Sequence, residues 1–306
     1  MPSIDPAAFD THGRIKCGTV TTPAFDASLA DYTGLLRFTV IEQGLVPADL
    51  AASWGTPASA GQRMALLGTT TGAPGFVRLI EGPAVPDYVP LRSYGWASFE
   101  FTVADVWTLH DSLKDSVFDI IGPPKLVEGF DNFIPMQVIG RAGEVLYLNK
   151  VQRSMSDLEL PAAHAWVDHI FIVPLAARDD AATLDFYTQA LRFERGGAYT
   201  ITYSVINQAF GFDDSVKTRM TMTRVGTLPN IEVDQYPPQT IERPTAPGAL
   251  PPGCALVSFI VDGLDGLDVQ FLTPPARRDG PLYAGRRVAT CVGPSGELVE
   301  LIEARP

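Results

Sequence analysis

The sequence predicts an α+β chain in which one unit of strands and helices is written twice, and three observations predict it. Three anchors recur in the same order: LLRF (35–38) with ALRF (190–193), SFEF (98–101) with SFIV (258–261), and GRAGEVLYL (140–148) with GPSGELVEL (293–301). Their offsets of 155, 160 and 153 agree closely enough to mark a tandem repeat. Each copy also opens on a strand followed by a helix-period stretch, and each closes on an apolar strand after a glycine turn. The expected division of the chain is 1–158 and 159–306.

In the first copy GTVTT reads as a strand, DASLADYTGLLRF as a helix, and RMALLG, GFVRLIE and WASFEFTV as strands. Asp105 is placed to cap a helix VWTLHDSL, because a carboxylate accepts from the free amides of a first turn. EVLYLNKV closes the copy. In the second copy VDHIFIV (167–173), rich in β-branched and aromatic residues, is a strand expected to end at Pro174. Asp179 or Asp180 caps DDAATLDFYTQALRF, where Leu184, Tyr187 and Leu191 share a helical face. TRMTMTRV and CALVSFIV follow as strands, then a short helix after Asp262, then the strand GELVELIE. QRSMSDLELPAA (152–163) links the copies. The proline-rich stretch 234–253 reads either as a stiffened surface excursion or as a cover over a pocket.

Composition excludes several classes of function. A net charge of −12 opposes broad attraction to nucleic acid or to an anionic bilayer. No apolar run approaches the roughly 18 residues of a membrane span, and no secretory leader is visible, so a cytoplasmic protein is expected. Cys17, Cys254 and Cys291 lie far apart, without zinc spacing or disulfide density, and read as buried thiols. There is no GxGxxG after a strand, no GxxxxGK[ST], no GxSxG and no HExxH.

The stretches VDHIFIV, FYTQALRF and GPSGELVELIE, in that order and with counterparts in the first copy, resemble the vicinal oxygen chelate superfamily. That group includes glyoxalases, bleomycin-resistance proteins and extradiol dioxygenases. The resemblance covers about 14–152 and 164–303 and implies tandem βαβββ modules whose sheets pair into a cupped, barrel-like mixed sheet. It also implies that metal ligands, where used, come from first and last strands and project into the cup. Carried over by position, His169 falls on the first-strand place and Glu300 on the last-strand place of the second copy. The first copy departs from the pattern, with Tyr147 at the last-strand place and Cys17 or Gly18 at the first. The implied cofactor is a divalent metal (Fe, Mn, Zn or Ni) on His169 and Glu300, with a degenerate metal site in the first copy.

Strand parity supports a special role for two of these residues. Glu300 shares a face with Leu298 and Ile302, and His169 shares one with Val167 and Phe171. Each is then a lone polar group on an apolar face, where an unpaired charge is expensive. Without a metal the pair would act as a general base and its orienting partner. Tyr147 is either a hydroxyl donor to a substrate oxygen or an aromatic filling the cup. Asn149 faces the same way as Tyr147. Cys17 is a candidate soft ligand, nucleophile or pocket residue, weighed against a buried free thiol. Trp96 and Glu100 are expected to line the first copy's cavity. His110 reads as a packing residue, and His12 and His164 as parts of the tail and linker.

The expected function is a lyase or isomerase acting next to a carbonyl or vicinal oxygens of a largely apolar small molecule. In it Glu300, His169 and Tyr147 do the chemistry under the proline-rich cover. The alternative is a metal-free binding protein of the bleomycin-resistance kind, with an extradiol-type dioxygenase third. A monomer or a homodimer is expected, because both copies lie in one chain.

Overall fold

The computed structural model describes residues 9–73, 75–126, 131–155 and 158–305. A βαβββ-type unit recurs four times, twice within each sequence copy, and the fourth keeps the strands without the helix. The first unit has strand Ile15–Thr22, helix Phe25–Gly34, and strands Thr39–Leu45, Arg63–Gly68 and Phe76–Glu81. The second has Phe99–Val103, helix Val106–Leu113, then Asp119–Gly122, Phe133–Ile139 and Val145–Val151. The third has Val167–Ala177, helix Asp180–Asp185 running into a π turn at Phe186–Ala190, then Glu194–Ile201, Thr218–Val225 and Leu228–Gln235. The fourth has strands Gly253–Val261, Ala276–Arg278, Arg286–Val292 and Leu298–Glu303.

The units do not pair with their neighbours in sequence. Ile15–Thr22 runs antiparallel to Gly253–Val261, joining the first and fourth units in one eight-stranded sheet. Phe99–Val103 runs antiparallel to Val167–Ala177, joining the second and third in the other sheet. Each sheet therefore takes one half from each sequence copy. Between the sheets lies the largest apolar cluster, including Phe99, Phe101, Val173, Phe259 and Leu301. Close approach there requires glycine at 18, where a Cβ would fall 2.5 Å from Cδ1 of Ile170.

A repeated latch ties the sheets together. Tyr32 of the first unit donates to Oε1 of Glu144 in the second at 3.2 Å, and Tyr187 of the third donates to Oε1 of Glu297 in the fourth at 2.9 Å. Both glutamates also accept from a backbone amide two residues back, that of Ala142 or Ser295. Arg37 and Arg192, which follow the two first-strand helices, both stand at φ 62°, so even the strained backbone is duplicated.

Three local expectations are corrected. The strand Val167–Ala177 does not stop at Pro174. Its pairing with Phe99–Val103 ends at Ile172 and its pairing with Gly95–Trp96 starts at Leu175, so the proline falls between two ladders where no amide donor is needed. No helix follows Asp262, because Gly263 and Gly266 break the segment and Gly266 sits at φ 79°. The SFEF anchor is out of step by two residues. Glu100 lies opposite Tyr147 as Ser258 lies opposite Glu300, so Glu100 and not Ser98 is the counterpart of Ser258. Among the described residues no helix is long and apolar enough to cross a membrane.

Candidate functional site

Each sheet curls around a cup, and strand pairing identifies the matching positions in the two. In the first/fourth cup Arg78 lies opposite Thr19, and Ser258 lies opposite Glu300. In the second/third cup Glu232 lies opposite Pro174, and Glu100 opposite Tyr147. Arg78 and Glu232 are thus counterparts, as are Glu300 and Tyr147. One cup holds opposite charges at its centre and the other holds two acids.

The first/fourth cup is filled. The Glu300 carboxylate is fully buried and accepts from Trp54 Nε1 at 2.7 Å, Ser258 Oγ at 2.5 Å, Tyr283 OH at 3.0 Å and Arg78 Nη2 at 3.4 Å. Arg78 donates from Nη1 to Tyr283 OH at 2.6 Å and from Nε to Thr19 Oγ1 at 3.0 Å, with its guanidinium 4.5 Å from the Trp54 ring centre. Leu50, Leu256, Leu298 and Ile302 close the space around this cluster. Cys17 is buried in the same cluster, where loss of water pushes its thiol up to about 12. Leu250 of the proline-rich stretch packs here as well. That stretch therefore helps to seal the filled cup, and none of 236–253 lines the open one.

The second/third cup is open, with a cavity of about 470 Å³. Its wall is apolar, from Phe171, Ile172, Met220, Met222 and Leu160. Met155, Leu158 and Leu160 come from the linker between the sequence copies, which therefore contributes to the lining. Glu100 and Glu232 line the cavity, and each is only 6 % exposed. Asn149 Nδ2 donates to Glu100 Oε2 at 2.8 Å, and Tyr203 OH donates to Glu232 Oε1 at 2.9 Å. Burial first, and the Glu232 charge second, hold the Glu100 carboxyl well above the usual range. Burial raises Glu232 to about 7, against hydrogen bonds from Tyr203 and Asp234. Asp234, two residues on along the same strand, is held high by burial and then by the Glu232 charge. Near neutral pH this group offers a protonated carboxyl at Glu100 and a carboxyl at Glu232 that readily gives or takes a proton.

The structure separates the residues expected to act together. His169 stands in the second/third sheet and Glu300 in the first/fourth sheet, so no single cup contains both. The His169 Nδ1 lies 3.0 Å from Asp168 Oδ1, its ring meets Phe9 edge-on at 4.8 Å between centroids, and its Cβ packs against Gly75. It lines neither cup. Counting along the paired strands makes Arg14 its counterpart, which places both just outside the central positions. Trp96 is a structural residue, donating from Nε1 to the Leu298 carbonyl at 2.8 Å. Tyr147 and Glu100 do line the open cavity, and Tyr147 packs against the Tyr203 ring at 6.4 Å. Burial and then the neighbouring Tyr236 push the Tyr147 hydroxyl well above its ordinary range.

Glu232, Asp234 and Tyr203 were not legible as site residues. In LPNIEVDQY the polar residues Asn230, Glu232 and Asp234 alternate, a pattern that ordinarily marks the solvent face of a strand. Here all three are buried. The available signal was the repeat itself, since an offset of 154 sets Glu232 against Arg78, a charged residue among the apolar Phe76, Val77, Leu79 and Ile80.

The donors present do not fit the implied metal. Around Glu300 a guanidinium already supplies the positive charge, and Trp54, Ser258 and Tyr283 all donate to the carboxylate. In the open cup the facing acids have no imidazole or thiolate beside them, and among the described residues no group of three or more His, Cys, Asp and Glu is arranged to hold a metal ion.

No protein-family model matches the chain, and no curated protein matches it in sequence. Solved structures do match. Glyoxalase I from Zea mays superposes with a TM-score of 0.61 at 16 % identity, covering 95 % of this chain and 92 % of that one. A single-residue variant of the same maize protein gives 0.64 at 16 % identity over 95 % and 92 % of the two chains. A putative dioxygenase from Bacillus subtilis gives 0.62 at 12 % identity, over 95 % of this chain and 85 % of that one. The likeness is one of fold, along nearly the whole chain.

Proposed function

We propose that this chain, which has the tandem-module vicinal oxygen chelate fold, is a small-molecule isomerase or lyase. It works by proton transfer in the second/third cup, with Glu100 and Glu232 as its acid and base. The observation that carries this reading is the pair of buried carboxyls on one cavity wall, each perturbed upward and each fixed by its own neutral donor. Ionised Glu232 takes a proton from a carbon next to a carbonyl. Protonated Glu100 gives its proton to the carbonyl oxygen, leaving an enol, a neutral Glu232 and an ionised Glu100. Glu232 then returns its proton to a different carbon while Glu100 takes back the enol proton, completing an isomerisation. Alternatively, a group β to the carbonyl departs with the Glu232 proton while Glu100 takes back the enol proton, completing an elimination. Tyr203 and Asn149 are positioning residues in this scheme. No step passes through a metal.

The test is deuterium exchange. The protein is incubated in D2O with arylalkyl ketones and 2-oxo acids that fill the cavity, and labelling next to the carbonyl is followed by NMR. Labelling is expected with wild type and is expected to fall about 100-fold or more in Glu232→Gln. Glu100→Gln, which keeps a donor, should lose less. A second reading, sequestration of an apolar compound, is favoured by the Met220 and Met222 wall. Tight binding with the ligand recovered unlabelled and unchanged would establish it instead.

A further inference from the structure

The rim of the open cavity carries a feature that proton transfer does not use. Of the five lysines, Lys16, Lys114 and Lys150 pair with aspartates. The two with no carboxylate partner among the described residues, Lys125 and Lys217, both line this cavity. They come from different units and converge on one short segment. Lys125 Nζ donates to Ser204 Oγ at 3.0 Å, and Lys217 Nζ donates to the Thr202 hydroxyl. The carboxylate of Asp213, near Lys217 in sequence, is turned instead to the amide and hydroxyl of Ser215. In a chain of net charge −12, two ammonium groups left facing the mouth of an apolar cavity form a local positive focus.

We infer that the molecule taken by this cavity has one anionic head, a carboxylate or phosphate, on an apolar body: Lys125 and Lys217 hold the head at the rim while the body lies along Met220 and Met222 toward Glu100 and Glu232. The inference rests on the reading of this cup as the working site. Orientation follows from charge: the acidic interior repels an anion and the rim attracts it, so the uncharged, oxygen-bearing end goes inward. Discrimination is against neutral and cationic analogues of the same shape.

Calorimetric titration with phenylbutyrate, its methyl ester, phenylbutyl phosphate and phenylbutylamine tests this. Phenylbutyrate or the phosphate should bind at least about tenfold more tightly than the ester, and the amine most weakly. The stronger of the two anions identifies the head. Lys125→Ala and Lys217→Ala, both exposed substitutions, should each weaken the anion about three- to fivefold and leave the ester unchanged, and the double variant should erase the preference. An ester that binds as well as either anion, lysine variants that weaken ester and acid alike, or no binding of either anion would overturn the inference. Met222→Trp, which fills the cavity, should abolish binding of acid and ester together. If it does not, the cup is not the binding site and both readings fall. Lysine-dependent binding without deuterium exchange removes the proton-transfer reading alone.

Discussion

At Glu232 burial holds the carboxyl near 7 while Tyr203 and Asp234 pull it down, and this balance has a consequence for stability. Below the ordinary glutamate value of 4.5 the group is protonated in the folded and unfolded chain alike. Between 4.5 and about 7 the unfolded chain releases the proton and the folded chain keeps it, so stability is lost as pH rises, and the loss is complete above about 7. Glu232→Gln removes that titration. Relative to wild type, the variant should therefore gain up to about 3 kcal/mol between pH 4.5 and 8, read from urea unfolding at each pH. A wild-type-to-variant difference that stays constant with pH would contradict the perturbed carboxyl. At this scale the sequence exposed Glu100 and Tyr147, polar groups in apolar strands. It hid Glu232, whose alternating neighbours look like a wet face.

Among the elements, the two matching last strands of the first and third units set the fate of the cups. Phe76–Glu81 delivers Arg78 to Glu300, and opposite charges in contact allow the cup to collapse around them. Leu228–Gln235 delivers Glu232 to Glu100, and like charges do not draw together without a proton between them. The segments beyond the second strands differ as well. Helix Ala48–Ser53 ends beside Trp54, which drops onto Arg78, whereas helix Ser204–Phe210 stays at the rim of the open cup. Arg78→Leu strands a buried carboxylate and should destabilise the fold by about 3–5 kcal/mol by thermal or urea denaturation. Because the filled cup does no chemistry in the proposed function, Glu300→Gln should leave ligand binding in the open cup unchanged within about twofold. A Glu300→Gln variant that folds and loses that binding would return Glu300 to the working site.

Across the whole molecule, hydrogen-bonded sheets join first to fourth and second to third units, while the Tyr32–Glu144 and Tyr187–Glu297 latches join first to second and third to fourth. Every unit is therefore held to one partner within its own half of the chain and to one in the other half. Expressed separately, 1–158 and 159–306 would each present the unpaired edges of their first strands and two half-cups with exposed apolar faces. Neither should show a cooperative unfolding transition alone, and mixing them should restore one, followed by circular dichroism. A half that folds by itself as a cooperative monomer, pairing Ile15–Thr22 with Phe99–Val103, would show that the crossed pairing is not obligatory.

Sequence by itself determined the α+β class, the tandem repeat, most strand positions and the Asp105 helix cap, and it narrowed the second cap to Asp179 or Asp180, of which Asp179 is the one used. These depend on periodicity and on contacts within a few residues. It also marked Glu300 as a buried carboxylate in need of partners, which it is. Only the tertiary structure decided who those partners are. The crossing of units between sheets puts His169 and Glu300 apart, sets Arg78 against Glu300, and brings Glu232 to Glu100 in a cavity lined by residues of the linker and not of the proline-rich stretch. Which strand pairs with which depends on contacts between residues far apart in the chain. Local hydrophobic pattern carries no record of that choice.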